Sequence, residues 1–314
     1  MFGPNVSTKI ECAIDFHHRE KRFSGIHKEL LAVFRDKFDI PSTHEIIIFT
    51  GSGTLAVESF ISSFKGSLSV ESVEIEREKF ANRWRGLLKH YGKYDQSSQF
   101  SIKVLFETSR SQYNGDMNAT FVDAVSGFPF WPAPRSPAWC TVSSKLLGGA
   151  PVLSILVLDR AFMNAHLEDS PSYLNPFKYL EYQKLGETPF TPAMPLFVDL
   201  LEKLKGFDVA KLRRQVAENY TRLVDVIGAE NLVNPELSPV LTVKPAVISP
   251  EVISRWSLYD NKQTKQVQIF LYSESDEKYE SLARDIAESK GGLWQPDTQE
   301  QSPEKKVLSL LIST

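Results

Sequence analysis

Cysteine is nearly absent from this 314-residue chain: Cys12 and Cys140 stand far apart and without metal-ligand spacing. Neither a disulfide framework nor a thiolate metal site is expected, and a reduced, cytoplasmic setting is. An excess of one charge is also missing. Thirty-six basic residues face 39 acidic ones, for a net charge of −3 and a pI near 6.1. That leaves no electrostatic footprint for nucleic acid or an anionic membrane surface. No run approaches the roughly 20 apolar residues of a spanning helix, and the opening "MFGPNVSTKIECAID" has no apolar stretch of signal-peptide type. Internal repeats are not evident. What is present is core-forming material: 42% hydrophobic and 11% aromatic residues. General disorder is therefore unexpected, and the length suits one large domain or two unequal ones.

Periodicity predicts a helix in "SGIHKELLAVFRDKF", where Ile26, Leu30, Leu31 and Phe34 recur at helical spacing. A strand at 45–50, a Gly-Ser-Gly-Thr turn and a helix from Thr54 to Phe64 follow. "SLSVESVEI" reads as a short strand and "EKFANRWRGLLKHYG" as a helix stopped by Gly92. "SIKVLFET", "ATFVDAVS", "WCTVSS" and "PVLSILVLD" are further β-type runs. Strands alternating with helices predict an α/β fold with a mostly parallel sheet and helices on both faces. The proline-rich "SGFPFWPAPRSPAW" is expected to be loop. So is "SPSYLNPFKYLEYQKLGETPFTPAMP", with at most one helical turn inside. From Met194 the pattern becomes one long or two consecutive amphipathic helices, broken at Gly206. The remainder mixes strands ("VLTVKPAVI", "KQVQIFLYS", "KVLSLLIS") with one helix ("SDEKYESLARDIAES"), as a smaller α+β domain. "QPDTQEQSPEKK" is expected to be a polar loop. The expected boundaries are 15–205 for the large domain, and 206–314 with the N-terminal 1–14 for the small one.

The turn in "IIIFTGSGTLAVESF" joins an apolar strand to a helix, where free N–H groups and the helix dipole favour an anion. It is a poor nucleotide loop. Leu55 and Ala56 follow Thr54 where a P-loop needs Lys-Ser/Thr, and Ala56 stands where a dinucleotide fingerprint needs its third glycine. Taken alone, a Gly-rich turn that binds nothing is as good a reading. Two further features shift the balance. "ATFVDAVSGF" ends an apolar strand on Asp123, at the carboxyl end where open α/β sheets bind ligands. "WCTVSSKLLGGAPVLSILVL" places Lys145 after a short strand and before a Gly-Gly turn. A phosphate cradle, a buried aspartate and a lysine on short loops are the parts needed for pyridoxal 5′-phosphate (PLP). The lysine forms the Schiff base and the aspartate keeps the pyridine nitrogen protonated. Individually, a lysine is usually a solvated charge and a strand-end aspartate often a helix cap.

Taken in order, these segments resemble the fold-type I PLP-dependent class V aminotransferases, nearest to 2-aminoethylphosphonate and phosphoserine transaminases. "DFHHREKRF", "TGSGTLAVES", "FETSRSQYNG", "VDAVSGF", "SSKLLGGAPVLSILVL" and "ETPFTPAMPLFVDLLEKL" carry the resemblance over roughly residues 10–205. It implies Ser52, Gly53 and Thr54 around the phosphate and Phe80 stacked on the pyridine face, although Phe80 reads equally as helix core. It further implies Thr108 or Ser109 near the phenolic oxygen, Asp123 at the ring nitrogen and Lys145 at the aldehyde carbon, with Ser144 among the cofactor-binding residues. Thr188 or Thr191 would close the phosphate site of a neighbouring subunit in a homodimer. His18 and Arg19 are candidates for the substrate's acidic group, against a plain solvated turn. The family's late Arg-x-Gly carboxylate clamp is not found, and Arg255 is the nearest late arginine.

The implied activity is transfer of an amino group between a small amino donor and a 2-oxo acid. Alternatives are a lyase or decarboxylase on the same scaffold, and a non-catalytic relative acting by binding.

Overall fold

The computed structural model describes residues 14–72, 78–105, 119–261 and 264–291. Among them two compact units divide between Phe207 and Asp208. The first holds α1 (Lys21–Lys37), β1 (His44–Thr50), α2 (Gly53–Ser63), β2 (Ser69–Glu71), α3 (Lys79–His90), β3 (Ser101–Val104) and β4 (Phe121–Asp123). It continues with β5 (Ala138–Val142), β6 (Leu153–Asp159), α4 (Arg160–His166), α5 (Pro176–Lys184) and α6 (Met194–Lys205). The six strands form one sheet in the order β1-β6-β5-β4-β3-β2. β2 to β5 pair in parallel, whereas β6 runs antiparallel to both β5 and β1. Five strands therefore point one way, as expected of a mostly parallel sheet, and β6 alone among the strands of this sheet runs against them.

Both faces of the sheet are covered. β5 is buried along its whole length and β6 over all but its last residue, which is why their sequences are continuous apolar runs without alternation. Ala138 and Cys140 join the core built with α2 and α3, among Phe60, Trp84 and Phe121. Trp139 points the other way, against Phe128 at 5.0 Å and Phe34 of α1 at 6.5 Å. That opposition follows from the two-residue period of a strand.

The second unit contains α7 (Val209–Ile227), β7 (Val240–Val243), α8 (Pro250–Trp256), β8 (Tyr259–Asp260), β9 (Val267–Phe270) and α9 (Asp276–Ser289), with an antiparallel sheet ordered β7-β9-β8. The helical run beyond Met194 is broken at Gly206, and Asp208 caps α7 by accepting the Lys211 N–H at 3.0 Å. The strand run "KVLSLLIS" and the loop "QPDTQEQSPEKK" lie outside the described residues. No described helix is long and apolar enough to cross a membrane.

One expected loop is a helix. α5 occupies nine residues inside "NPFKYLEYQK", started by Asn175, whose side chain accepts from Phe177 and Lys178 N–H, with Pro176 in the first turn. Proline fits there because that N–H has no intrahelical partner. α4 and α8 also lie beyond the sequence reading. Each is only seven residues, too short to display a periodicity.

Within the first unit, His27 is buried between Phe23 and Phe197, at ring distances of 6.0 and 5.5 Å, and its Nε2 has no hydrogen-bond partner among the described residues. Burial pushes its pKa down to about 4. The folded state thus resists a proton that the unfolded chain accepts below its ordinary value of 6.5. Stability is complete above that value and falls as the pH drops through the window down to about 4. The loss attributable to His27 is on the order of 3 kcal/mol. Urea unfolding of His27→Leu at several pH values should lack this share of the acid-side decline. An unchanged slope would assign the decline to other groups.

Candidate functional site

β1, β4 and β5 run in the same direction, so their carboxyl ends open on one edge of the sheet. The turn after β1 carries residues 51–54. Gly51 N–H donates to Val152 O at 2.9 Å, tying this turn to the start of β6. A Cβ on Gly53 would sit 3.0 Å from Val125 and 3.2 Å from Val142, so only glycine fits without displacing both. Ser52 is the N-cap of α2 but makes no capping bond through its side chain. In the first turn of α2 the Leu55 N–H donates to Ser52 O at 2.8 Å, and the N–H groups before it, at Gly53 and Thr54, stand where a helix has no intrahelical acceptor and carries a partial positive charge. Thr54 Oγ1 accepts from Arg83 of α3 at 3.3 Å.

Asp123 ends β4 and is 4% exposed. Its Oδ1 accepts the Val125 N–H and its Oδ2 the Trp84 Nε1–H, both at 3.1 Å. Burial raises its pKa. The Val125 N–H, the Lys145 charge, the Trp84 N–H and the Arg83 charge oppose that rise, in this order. Phe80 lies one helical turn before Trp84, half-buried against the core, with the Arg83 guanidinium 5.1 Å from its ring centre.

Lys145 follows β5 on a tight turn and has φ +58°, the left-handed region that a side chain disfavours. Its Nζ donates to Ser126 Oγ at 3.2 Å. Burial lowers its pKa, and the Asp123 charge counters part of that. Ser144, also buried, precedes it as the N-cap of the 3₁₀ turn 145–147. The turn is closed by its neighbours. Ser143 Oγ donates to Ala150 O at 2.5 Å, Gly149 N–H donates to Ser143 O at 2.9 Å, and Ala150 N–H donates to Asp199 of α6 at 2.8 Å.

The structure therefore brings together residues 52–54, Phe80, Asp123, Ser144 and Lys145 at one edge of the sheet. Thr108 and Ser109 lie outside the described residues. Thr188 and Thr191 sit on the loop between α5 and α6. Thr191 is exposed, while Thr188 Oγ1 is buried without a hydrogen-bond partner among the described residues. No hydrogen bond among the described residues joins either to the turns just described. His18 and Arg19 lie on the turn before α1, where Arg19 N–H donates to His17 Nδ1 at 3.2 Å. Burial, then the charges of His17 and Arg19, lowers the His18 pKa, and Glu187 opposes the change.

Solved structures with this architecture include an aspartate aminotransferase from Thermus thermophilus, with a TM-score of 0.74 and 19% identity over 91% of this chain and 98% of that one. A phosphoserine aminotransferase from Cytophaga hutchinsonii has a TM-score of 0.70 and 17% identity, over 87% and 91%. An alanine–glyoxylate aminotransferase from Nostoc sp. has 0.69 and 18%, over 91% and 93%. The fold is that of the fold-type I PLP transferases. No protein-family model matches the sequence, and no curated protein matches it. Identities this low carry the fold-type I architecture alone.

Trp84, Arg83, Ser126, Ser143 and Asp199 reach this edge without having been singled out in the sequence. Only Trp84 left a signal there: it is four residues from Phe80, on the same helical face. The others depend on how separate turns pack.

The Lys145 turn has no space at Gly149, where a Cβ would meet Ser143 O at 2.9 Å. Gly149→Ala should cost about 1–3 kcal/mol in urea unfolding, as an overpacked backbone contact does. An unaltered midpoint would mean that the turn can open at no cost.

Proposed function

We propose that this chain is a PLP-dependent aminotransferase of class V type, moving an amino group between a small amino donor, an amino acid or aminophosphonate, and a 2-oxo acid. The observation that carries the reading is the gathering of the buried Asp123 carboxyl and the half-buried Lys145 amine beside the glycine turn 51–54. A buried carboxylate and a half-buried amine at the carboxyl edge of one sheet suit a ligand that presents a cationic ring nitrogen to one and a carbonyl to the other.

The residues present fit PLP. Ser52, Gly53 and Thr54 offer uncapped N–H groups and hydroxyls to a phosphate at the start of α2, and Arg83 beside Thr54 adds positive charge. Phe80 would cover one ring face, and Thr108 or Ser109 would bond near the phenolic oxygen. Asp123 would hold the ring nitrogen and Lys145 the aldehyde carbon, with Ser144 beside it as a further cofactor contact. When bound, PLP supplies an electron sink for the charge left on the substrate carbon.

The chain's own groups then do the rest. Lys145 Nζ would act as general base and then general acid, taking the proton from the substrate carbon and returning it two atoms away, a 1,3-shift. Burial favours its neutral form, which is the form able to accept that proton. Asp123, when ionised, would direct its negative charge at the ring nitrogen and stabilise positive charge there. His18 and Arg19 are the proposed partners of the substrate's acidic group.

A homodimer in which Thr188 and Thr191 reach the partner's phosphate site belongs to the same reading. The exposed Thr191 supports it, as does the surface stack of Tyr173 on Phe190 beside it at 3.8 Å. So does a cytoplasmic setting, on the scarcity of cysteine. The proposed domains are the PLP-binding residues 15–205 and a small α+β domain over 206–314 with 1–14.

One observation favours a second reading, a lyase or decarboxylase. Arg255 is ion-paired with Asp285 at 2.9 Å, so the nearest late arginine is already engaged. Supplying the amino donor alone to PLP-loaded protein separates the two. A transaminase should release about one equivalent of 2-oxo acid per site and then stop, whereas a lyase turns over continuously. A chain that only binds would release nothing. Borohydride reduction of the loaded protein should leave the cofactor's mass on the peptide containing Lys145. Lys145→Ala should lose that label and on the order of 10²–10⁴-fold in rate. Full activity in the variant would remove Lys145 from its role.

A further inference from the structure

The indole of Trp84 is one of the largest fully buried side chains in the protein, and its sole polar atom is directed at Asp123. An indole N–H donates and cannot accept, so it favours the ionised carboxylate over any neutral acceptor of the same shape. Buried indoles usually find a partner of some kind, and a backbone carbonyl would have served the tryptophan equally well. Here the partner is instead the strand-end carboxylate proposed to meet the cofactor's ring nitrogen.

The groups around that carboxylate define what is left for Trp84 to do. From its own turn, the Val125 N–H holds Oδ1. From the turn after β5 comes the positive charge of Lys145, and from α3 that of Arg83. β5 contributes Cys140, paired beside Asp123 in the sheet, whose thiol is pushed well up, by burial first and by the Asp123 charge second. Both cations act at range, and Cys140 stays protonated and neutral. Trp84 is therefore the side chain that grips Oδ2 directly, at 3.1 Å. Each carboxylate oxygen has about two acceptor sites. One site on Oδ1 and one on Oδ2 are filled by fixed N–H groups, so the plane of the carboxylate is set and, among the described residues, one site on each oxygen has no hydrogen-bond donor.

We propose that Trp84 is a positioning residue for Asp123: its Nε1–H fixes the carboxylate plane and sets the proton affinity that Asp123 presents to the cofactor's ring nitrogen. This rests on the aminotransferase reading, and its first test does not. In the cofactor-free protein, the Asp123 carboxyl can be followed by ¹³C NMR, with Asp123→Asn identifying the signal. Losing one hydrogen bond to a charged group should move its titration midpoint upward by about one pH unit in Trp84→Phe. A midpoint identical to wild type would overturn the proposal, because a tryptophan serving only to fill the core leaves it unmoved.

Phenylalanine leaves unfilled space at a fully buried site, so a measurement on the wild type stands beside the variant. The Trp84 indole ¹⁵N–H resonance should shift with the same midpoint as the Asp123 carboxyl, and should lose that pH dependence in Asp123→Asn. An indole signal that ignores the Asp123 titration would refute the coupling even if Trp84→Phe did not fold.

At a pH below the Asp123 midpoint, PLP-loaded Trp84→Phe should bind the cofactor up to about tenfold more weakly, because one pH unit of proton affinity leaves its carboxyl about tenfold less ionised there. It should also shift the pH midpoint of the visible absorption band. Unchanged affinity and midpoint in a folded variant would count against the proposal. A wild type that takes up no PLP would defeat the aminotransferase reading instead, while the cofactor-free titration still decides the role of Trp84.

Discussion

Burying a carboxylate and an amine at the same edge of a sheet sets the terms for the rest of the first unit. Each loses hydration, and desolvation dominates both: the Asp123 pKa is raised and the Lys145 pKa lowered. Each also restrains the other's shift, but a Coulombic attraction of this kind repays burial only when further hydrogen bonds take up the remaining capacity. The surroundings supply them. Asp123 receives Val125 N–H and Trp84 Nε1–H, and Lys145 reaches Ser126 Oγ. Without those groups both side chains would tend to neutrality, and the site would lose the charge separation that makes it chemically useful.

Holding Lys145 there has a backbone cost. Its φ of +58° is unusual for a lysine, and Val152, at the other end of the same connection, has φ +82° despite its branched side chain. Such residues persist where surrounding contacts over-determine them. Here the contacts are the Ser143 side chain, the Gly149 and Ala150 N–H groups, and the Asp199 carboxylate. The strained Val152 is also the acceptor for Gly51 N–H, so the lysine turn and the glycine turn are coupled through one backbone bond. The start of α6 is tied in as well, by Ala193 N–H donating to Thr50 Oγ1 at 3.1 Å. Two turns distant in sequence thus form one rigid edge.

Much of the large unit was legible in the sequence because its signals are local. The apolar runs around Ile46–Phe49 and Leu153–Leu158 read as strands, and α1, α2 and α3 repeat their hydrophobic residues at helical spacing. The break at Gly206 is visible for the same reason. α5 was not, because its start depends on the Asn175 cap and Pro176 in the first turn rather than on a stripe of apolar residues. The mixed direction of the sheet was also hidden. β6 looks like any other buried strand, and only its pairing with β5 and β1 reveals that it runs backwards.

The order of glycine turn, aspartate strand and lysine turn is written in the sequence, and with it the expectation of a phosphate-bearing cofactor. Those residue types are chosen by chemistry that a side chain carries wherever it sits. Which groups surround them is decided by tertiary structure alone. Trp84 meets Asp123 from 39 positions away, and Asp199 meets Ala150 from 49. Ser126 and Lys145 are 19 apart. The physical reason is that burial and hydrogen bonding depend on which elements pack together. A sequence shows that an aspartate is there; only the packing around it determines how it holds its proton.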